Sequence, residues 1–475
     1  MTGYDRLSAL DSSFLHLESR ATPMHVGSLA IFEGEQFFDG SGRFRLAAVR
    51  DLVTSRLHHI PRFRRRLMAV PMEQGRPIWV DDDRFDISYH VRLTALPKPG
   101  SWDQLRALTA RIQMHVLDRS RPLWELWFVE GLEAGRVGLV QKTHHALVDG
   151  VSGVDVATVL LDFHQHAETE AAPPWLPAPV PSSARLLADT MRERATEPSE
   201  LVRTARGLAR TPQRVASRAS DVGRAVRSVL EFSPLAPATS FNRPVSASRE
   251  FVGVTIDLVD VQRVRSQLGG TINDVVLAGV AGALRRRFVA RDEVLPEAVR
   301  VLCPVSVRGD HETMQLGNRV SAMFVELPIA EPDPCVRLQM IGEVTRDLKE
   351  REQALGASFL LGLTDYAAPT LLGLAARLVH RQPFVNFVVT NIPGPQVPLY
   401  CLGARMIEAY PMVPLSQNLG LGIAILSYCG VLHIGLMADA RANPDLADFG
   451  ADLTAAFAEL GHAAVDIATE RETTG

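Results

Sequence analysis

The sequence is poor in cysteine, in long apolar runs and in net charge, and each shortage excludes a class of protein. Only four of the 475 residues are cysteine, and their spacing fits neither a zinc site nor a redox pair. We expect free, mostly buried thiols in a reducing compartment. The net charge of −4 gives no reason to expect nucleic acid as a partner. No signal peptide is recognisable, and no window holds the ~18–20 apolar residues of a membrane span. We therefore expect a cytoplasmic protein that can touch a membrane without spanning it.

Length and composition divide the chain into three parts. A chain of 475 residues exceeds what one hydrophobic core usually holds. Five prolines between Ala167 and Ser183 forbid a regular element there. We predict an α/β unit over residues 1–165, a proline-rich and basic helical linker over 166–248, and a second α/β unit over 249–475. The basic helices of the linker have two interpretations, a solvated helix pair or an amphipathic surface for anionic lipid.

Local patterns predict alternating strands and helices in both units. A helix is expected over Ser101–Val116, where Ser101 and Gln104 form a capping-box signature. Alternating apolar and polar residues predict a strand over Phe85–Leu93. In the second unit, "TINDVVLAGVAGALRRRF" predicts a helix, and a final helix is expected from residue 443 to about residue 460.

The segment "KTHHALVDGVSG", Lys142–Gly153, holds two histidines and an aspartate within an apolar stretch. A hairpin is predicted before it, with strands over Trp124–Glu130 and 136–143, and helical spacing follows Gly150. The motif therefore lies at a corner between a strand and a helix, where side chains can project into a cleft.

Adjacent histidines can act as a base, as metal ligands or as part of a hydrolase triad. A neutral imidazole, with an ordinary pKa near ~6.5, takes a proton at cytosolic pH without a metal. Neighbouring histidines rarely point the same way and no third ligand lies at a useful spacing, so no metal site is predicted. No G-x-S-x-G elbow occurs, and Ser152 follows His145 too closely for an ordinary triad. A general base is the preferred interpretation.

"HHALVDG", His144–Gly150, matches the HHxxxDG signature and resembles the coenzyme-A-dependent acyltransferase superfamily, whose fold is that of chloramphenicol acetyltransferase. Further segments resemble the bacterial wax ester synthase/diacylglycerol acyltransferase family, occur in its order and cover nearly the whole chain. They are "LDSSFLHLES", "PMHVGSLAIFEG", "RPLWELW", "GGTINDVVLAGV", "LGNRVSAMFVELP" and "TNIPGP". Asp448–Gly450 lacks the trailing Trp-Gly of the superfamily's DFGWG motif, which argues against its plant-type members.

The resemblance implies an α/β (α+β) fold of two chloramphenicol-acetyltransferase-like domains, each a mixed sheet with flanking helices, joined by a long helical linker. A reaction channel would run between the domains. By resemblance, His145 is the general base, and His144 and Asp149 are its structural partners. Gly150 would let the chain turn sharply. His25, in "PMHVG", is interpreted as a packed histidine rather than a second base.

Acyl transfer also needs a donor for the oxyanion of its tetrahedral intermediate, a contact worth about 3 kcal/mol. Asn273 is the preferred donor because it lies near a helix start in the family's "ND" motif; a helix cap is the alternative. Asn391 is a weaker candidate that can simply hold a strand-end turn, and Trp124 either shapes the substrate route or belongs to the core. The candidates for oxyanion and substrate binding are Asn273, Asp274, Gly150, Asn391 and Trp124.

The resemblance implies an acyl-CoA:diacylglycerol O-acyltransferase that forms triacylglycerol. The alternatives are a wax ester synthase acting on long-chain alcohols, an acyltransferase that uses a carrier-protein thioester, and a non-catalytic lipid-binding protein. The expected partners are acyl-CoA, diacylglycerol or a long-chain alcohol, and the surface of a membrane or lipid droplet, with no nucleic acid. No cofactor is expected, because acyl-CoA is itself a substrate.

Overall fold

The computed structural model describes residues 4–71, 75–147, 159–167, 171–196, 235–306, 320–355 and 384–474. The strands in these ranges are β1 (Asp5–Arg6), β2 (His25–Phe32), β3 (Arg65–Met68), β4 (Ile78–Asp81), β5 (Val91–Ala95), β6 (Trp124–Glu130), β7 (Val137–His144), β8 (Arg249–Asp257), β9 (Val299–Ser306), β10 (Val320–Leu327), β11 (Phe387–Pro393), β12 (Tyr400–Cys401), β13 (Ala404–Met412), β14 (Leu421–Tyr428) and β15 (Val431–Asp439). The α-helices in the same ranges are α1 (Ala9–Leu17), α2 (Leu46–Arg56), α3 (Ile87–His90), α4 (Trp102–Met114), α5 (Ser183–Thr196), α6 (Leu258–Leu268), α7 (Ile272–Ala290), α8 (Pro334–Leu355) and α9 (Leu446–Thr474).

The first large sheet has the strand order β12-β13-β2-β7-β6-β5. β6 and β7 form the predicted antiparallel hairpin, and β2 lies antiparallel along the other edge of β7 with His25 opposite His144. β12 and β13 come from the second half of the chain, and β13 pairs antiparallel with β2. The structure therefore departs from a strict division at residue 248. Periodicity predicts that a segment is a strand, but it does not identify the strand's partner.

The second large sheet has the order β10-β9-β11-β14-β15-β8. It is mixed, because β11 runs parallel to both β9 and β14 whereas the other neighbours are antiparallel. α7 runs through the core beside it, with every residue from Asp274 to Leu284 buried. Gly279 lets α9 approach closely, since a Cβ there would lie 2.7 Å from the ring of Phe457. A helix that is apolar on all sides is stable only in such surroundings.

The two large sheets meet where β13 packs against β8 and β15. A Cβ at Gly435 would lie 1.9 Å from the carbonyl oxygen of Pro411, and one at Gly253 would lie 2.8 Å from the ring of Tyr410. Both glycines are therefore required by the close approach of β13. This contact joins the two units through buried apolar surface.

A small third sheet, of order β1-β4-β3, is covered by the linker helix α5. Leu186 of α5 is fully buried against Tyr4 and the inner side chains of β4. The hydroxyl of Tyr4 donates a 2.6 Å hydrogen bond to Asp189. This part of the linker is thus docked on the first unit, whereas residues 197–234, on which the two interpretations of the basic helices depend, lie outside the described residues.

The predicted α/β class with two units, each a mixed sheet with flanking helices, is confirmed. The capping box of Ser101 and Gln104 at the start of α4 is also confirmed. The strand predicted over Phe85–Leu93 is wrong in its first part, because Asp86 caps a helical turn, α3, and β5 begins only at Val91. The final helix continues past its predicted end, through Gly461 to Thr474.

Candidate active site

The two adjacent histidines lie where β7 ends. His144 is the last residue of β7, and His145 begins a single 3-10 turn, His145–Leu147. The backbone N–H of His145 donates a 2.8 Å hydrogen bond to the carbonyl of Met24, just before β2. The end of β7 is therefore held by the neighbouring segment as well as by its own turn, whereas the start of the helix predicted after Gly150 lies outside the described residues.

The two histidines occupy opposite environments. His144 has no exposed surface, and its Nδ1 accepts a 3.0 Å hydrogen bond from the N–H of Ala146. Since Nδ1 is an acceptor, the proton of this ring lies on Nε2. His145 is partly exposed, and its ring stacks on Phe14 of α1 with 4.0 Å between ring centroids. Only His145 retains access to a reacting molecule.

Glu18 is the carboxylate behind the histidines. Its Oε1 lies 3.4 Å from Nε2 of His144 and 3.3 Å from Nε2 of His25, and its side chain is 5% exposed. These are ion-pair distances, but the angles depart from hydrogen-bond geometry. Oε2 accepts a 2.8 Å hydrogen bond from Arg119. Burial raises the pKa of Glu18, but the contacts with His144 and His25 outweigh burial and hold the pKa well below its usual range. Glu18 therefore stays ionised.

The sequence reasoning missed Glu18 as a site residue. Glu18 stands in the quoted segment "LDSSFLHLES", but nothing local connects it with a motif so far along the chain. His25, in contrast, is buried as a packed histidine, as the sequence interpretation had it.

The pKa of His145 is lowered to about 4, chiefly because burial removes water from much of the ring. The nearby His144 lowers the pKa further, whereas a hydrogen bond with the backbone of His145 itself opposes the shift. A ring with a lowered pKa is neutral at pH 7, with an unprotonated nitrogen that can accept a proton. The site therefore contains an imidazole that can accept a proton at neutral pH.

Asp149 and Gly150 lie outside the described residues. Their roles, as a structural partner of the base and as the residue of the sharp turn, stay predictions.

The "ND" motif opens α7, but Asn273 is not the cap of that helix. Thr271 is the N-cap, and Asp274 completes a capping box with it. The carboxylate of Asp274 is buried; Oδ2 accepts from the Thr271 N–H at 2.8 Å and Oδ1 accepts from the Thr345 hydroxyl at 2.7 Å. These bonds favour a structural role for Asp274 over a substrate contact. Asn273, one residue earlier and partly exposed, stays the predicted oxyanion donor.

Trp124 and Asn391 occupy different surroundings. Trp124 is fully buried, its Nε1 donates a 2.8 Å hydrogen bond to the Phe63 carbonyl, and its ring stacks on His90 at 4.5 Å. This placement favours the core interpretation of Trp124 over a substrate route. Asn391 lies within β11, opposite Ile425 of β14, and is partly exposed. It is thus part of the second sheet rather than of a turn.

Two cavities show where open space lies near these residues. One, of about 730 Å³, lies between the start of α7 and α8, and its lining includes Thr271, Asp274 and Arg346. The other, of only about 20 Å³, lies between the two units beside His25, and its lining includes Met412. The second cavity has room for about one water molecule, and His25, the strand partner of His144, lines it.

Two family models match the chain. The wax ester synthase/diacylglycerol acyltransferase catalytic domain matches residues 7–276, and the C-terminal domain of the same family matches residues 316–461. Together they include the histidine corner and the "ND" motif.

Relatives named diacylglycerol O-acyltransferase match nearly the whole chain. A putative diacylglycerol O-acyltransferase of Mycobacterium tuberculosis is 34% identical over 93% of this chain and 87% of its own length. A probable diacylglycerol O-acyltransferase of the same species is 31% identical, with 96% of each chain covered. Among solved structures, the wax ester synthase/diacylglycerol acyltransferase from Marinobacter aquaeolei VT8 superposes with a TM-score of 0.67 at 28% identity, covering 97% of this chain and 99% of its own.

The fold is shared more widely than this family. The first condensation domain of the calcium-dependent antibiotic synthetase superposes with a TM-score of 0.58 at 16% identity, covering 98% of this chain and 97% of its own. At that identity the likeness concerns the fold alone. In the part of the chain that the structure describes, no helix is long and apolar enough to cross a bilayer.

Proposed function

Because the chain belongs to the wax ester synthase/diacylglycerol acyltransferase family, we propose that this O-acyltransferase moves a fatty acyl group from acyl-CoA to diacylglycerol and so forms triacylglycerol. The observation that carries the proposal is the environment of His145. Its ring is neutral and partly exposed, and it follows His144, whose strand partner His25 lines the small cavity at the junction of the two units. A base at such a junction can meet two substrates that enter from different sides.

His145 acts as the general base. It takes the proton from the acceptor hydroxyl while that oxygen attacks the thioester carbonyl carbon, and a tetrahedral oxyanion forms. The oxyanion collapses with cleavage of the carbon–sulfur bond, and the imidazolium returns its proton to the CoA thiolate. The products are an ester and free CoA, and no covalent acyl-enzyme is formed. We propose that this sequence needs neither a metal nor another cofactor.

His144 cannot exchange roles with His145. Its ring is sealed from solvent, and Nδ1 is already occupied by the N–H of Ala146. Its Nε2 faces Glu18 rather than open space. His144 is therefore a structural partner, and Asn273 is proposed as the donor that stabilises the oxyanion.

The names of the relatives support diacylglycerol as the acceptor. The two mycobacterial relatives are named diacylglycerol O-acyltransferases. A long-chain alcohol is the second candidate, because the Marinobacter protein is named a wax ester synthase as well. Both acceptors offer a hydroxyl on an apolar chain, so the chemistry at His145 is the same for both.

We also propose that the protein works at the surface of a membrane or lipid droplet inside the cytoplasm. Diacylglycerol and triacylglycerol partition into lipid rather than water, so the enzyme must meet them at an interface. Two exposed apolar side chains, Phe163 just before the linker and Leu176 within it, can contribute to such a contact. Flotation with lipid vesicles tests this attachment; protein that stays at the bottom of the gradient would contradict it.

The acceptor is tested with purified enzyme and labelled palmitoyl-CoA, offered diolein and hexadecanol separately, with the products resolved by thin-layer chromatography. Labelled triacylglycerol is the expected product, and His145→Ala should slow its formation by roughly 10²-fold or more. Product from hexadecanol alone would make the protein a wax ester synthase. Transfer only from an acyl-carrier protein, or lipid binding without any product, would refute the proposed donor or the proposed catalysis.

A further inference from the structure

Helix α1 carries two side chains that contact the histidine corner, Phe14 and Glu18. They are four residues apart, and such residues lie on the same side of a helix, one turn apart. Ser8 caps the start of α1 by accepting a 3.0 Å hydrogen bond from the N–H of Asp11. Glu18 stands at the other end, as the residue that follows the last helical turn. One short helix therefore presents an aromatic ring and a carboxylate to the same target.

Phe14 covers one face of the proposed base. Its ring lies 4.0 Å from the ring of His145, centroid to centroid, with 22° between the planes. A stacked aromatic ring restricts rotation of the imidazole and keeps water from that face. Rotation of the imidazole would move its free nitrogen away from an acceptor hydroxyl, and a small misplacement of this kind is costly in rate.

Glu18 reaches both histidines, directly and through the backbone. Its Oε1 lies 3.4 Å from Nε2 of His144 and also accepts a 3.3 Å hydrogen bond from the N–H of Met24. The carbonyl of the same Met24 accepts from the N–H of His145 at 2.8 Å. Arg119 holds the carboxylate from the other side and also donates to the Leu15 carbonyl at 2.8 Å. Glu18 thus connects α1, the start of β2 and the end of β7.

We propose that Phe14 and Glu18 are positioning residues of the acyl transfer: Phe14 fixes the ring of His145, and Glu18 fixes His144 and the backbone that carries His145. This inference rests on the proposed role of His145 as the base. Neither side chain takes part in a covalent step. They affect the position of the His145 imidazole when the acceptor hydroxyl binds.

Phe14 and Glu18 could make the same contacts for packing alone, without affecting the reaction. The pH dependence of the rate distinguishes a packing role from a positioning role. The titratable and charged groups around the histidine corner in the described part of the chain include His144 and Lys142 on β7, Glu18 at the end of α1, His25 on β2 and Arg119 before β6. Replacing Phe14 by a residue without a ring leaves these groups in place. Any shift in the ionisation of the base in that variant then reports the lost aromatic cover.

The experiment compares Phe14→Leu, Phe14→Tyr and Glu18→Gln with the wild type, and uses His16→Gln, an exposed position on the same helix, as the matched control. We expect Phe14→Leu and Glu18→Gln to lower kcat about tenfold or more, with the KM for palmitoyl-CoA changed less than about twofold. In Phe14→Leu the acid limb of the pH–rate profile should also move to higher pH, because water regains access to the imidazole. Phe14→Tyr, which keeps the ring, should restore most of kcat, and His16→Gln should match the wild type.

A folded Phe14→Leu enzyme with unchanged kcat and an unchanged acid limb would overturn the role of Phe14, and an unchanged kcat in Glu18→Gln would overturn that of Glu18. If Phe14→Leu does not fold, Phe14→Met gives the same comparison, because its flexible side chain fills irregular gaps more readily. His145→Ala distinguishes this failure from failure of the proposed function. Near wild-type activity in His145→Ala refutes the base, whereas a His145→Ala variant slowed by roughly 10²-fold or more beside fully active Phe14 and Glu18 variants refutes the positioning alone.

Discussion

Nε2 of His144 lies 3.4 Å from Oε1 of Glu18, and neither side chain is more than 5% exposed. A buried carboxylate is costly unless positive or polar groups surround it. Here His25, His144 and Arg119 supply those groups. These contacts form a buried polar cluster beside the partly exposed ring of His145. The proton transfer at His145 can be tested separately from this cluster.

Replacing His145 by Ala should lower kcat by roughly 10²- to 10⁴-fold, the usual contribution of a general base. The fold should persist, because the ring is partly exposed and its backbone bond to Met24 remains. Steady-state rates measured beside a thermal melt check both statements. Near wild-type activity in a folded variant would contradict the assignment.

The acid limb of the pH–rate profile should lie at an unusually low pH for a histidine base. The active form of His145 is the neutral ring, and its pKa is lowered to about 4, so the neutral form dominates down to that pH. We expect kcat/KM to stay nearly constant on the acid side from neutral pH to pH ~5 and to fall only below it. An inflection near pH ~6.5 would mean that the ring is ordinarily hydrated.

Acid should also destabilise the fold through buried neutral histidines. Burial lowers the pKa of His433 from 6.5 to about 4, and neither ring nitrogen has a hydrogen-bond partner. The unfolded chain therefore binds the proton more tightly than the folded one, and stability is lost as the pH falls from 6.5 through about 4. The expected loss is about 3 kcal/mol for this ring once the pH has fallen through both values.

The variant His433→Leu removes this titration and serves as the comparison for the acid effect. Urea unfolding at neutral pH and near pH ~4.5 should show a smaller loss of stability in the variant than in the wild type. Equal losses in both proteins would assign the acid sensitivity to other groups.

Gly435→Ala should loosen the junction of the two units. The added Cβ would lie 1.9 Å from the Pro411 carbonyl, so β13 must shift. We expect a cost of roughly 1–3 kcal/mol, seen as a lower melting temperature. Gly461→Ala in α9 is the control, because a Cβ added there would meet no neighbouring atom within 4 Å. This substitution should stabilise the helix by about 0.5–1 kcal/mol. A neutral Gly435→Ala would contradict the close approach of β13.

Prolonged dialysis against EDTA should leave the transfer rate unchanged, since the proposed mechanism uses only protein groups and the two substrates. The rate with palmitoyl-CoA and diolein before and after dialysis is the measurement. A loss of activity that returns on adding a divalent cation would require a metal in the mechanism.

Several elements could be predicted because their signals are local. The capping box of Ser101 and Gln104 and the hairpin before His144 lie within short windows of sequence. The strand predicted over Phe85–Leu93 was wrong in its first part, and the pattern of alternating apolar and polar residues does not reveal why. Asp86 caps a helical turn, and His90 turns into the core, where its Nδ1 contacts the Trp124 carbonyl at 2.8 Å.

The candidate site divides in the same way. The residue types at 144 and 145 indicate a base, because an imidazole can gain and lose a proton near neutral pH. Which ring is the base depends on burial, and burial is set by α1 and β2, which are distant in sequence. Phe14 and Glu18 escaped the sequence reasoning because a phenylalanine and a glutamate on a helix have no chemistry of their own until a partner is placed beside them.

By itself the sequence determined the kind of chemistry, the family and most of the regular elements, since motifs and periodicity act over a few residues. Only the tertiary structure decided that β13 completes the first sheet, that Asp274 is a cap, and that Glu18 stands behind His144. Such contacts join residues far apart in the chain, and they depend on how buried surfaces fit rather than on any local pattern.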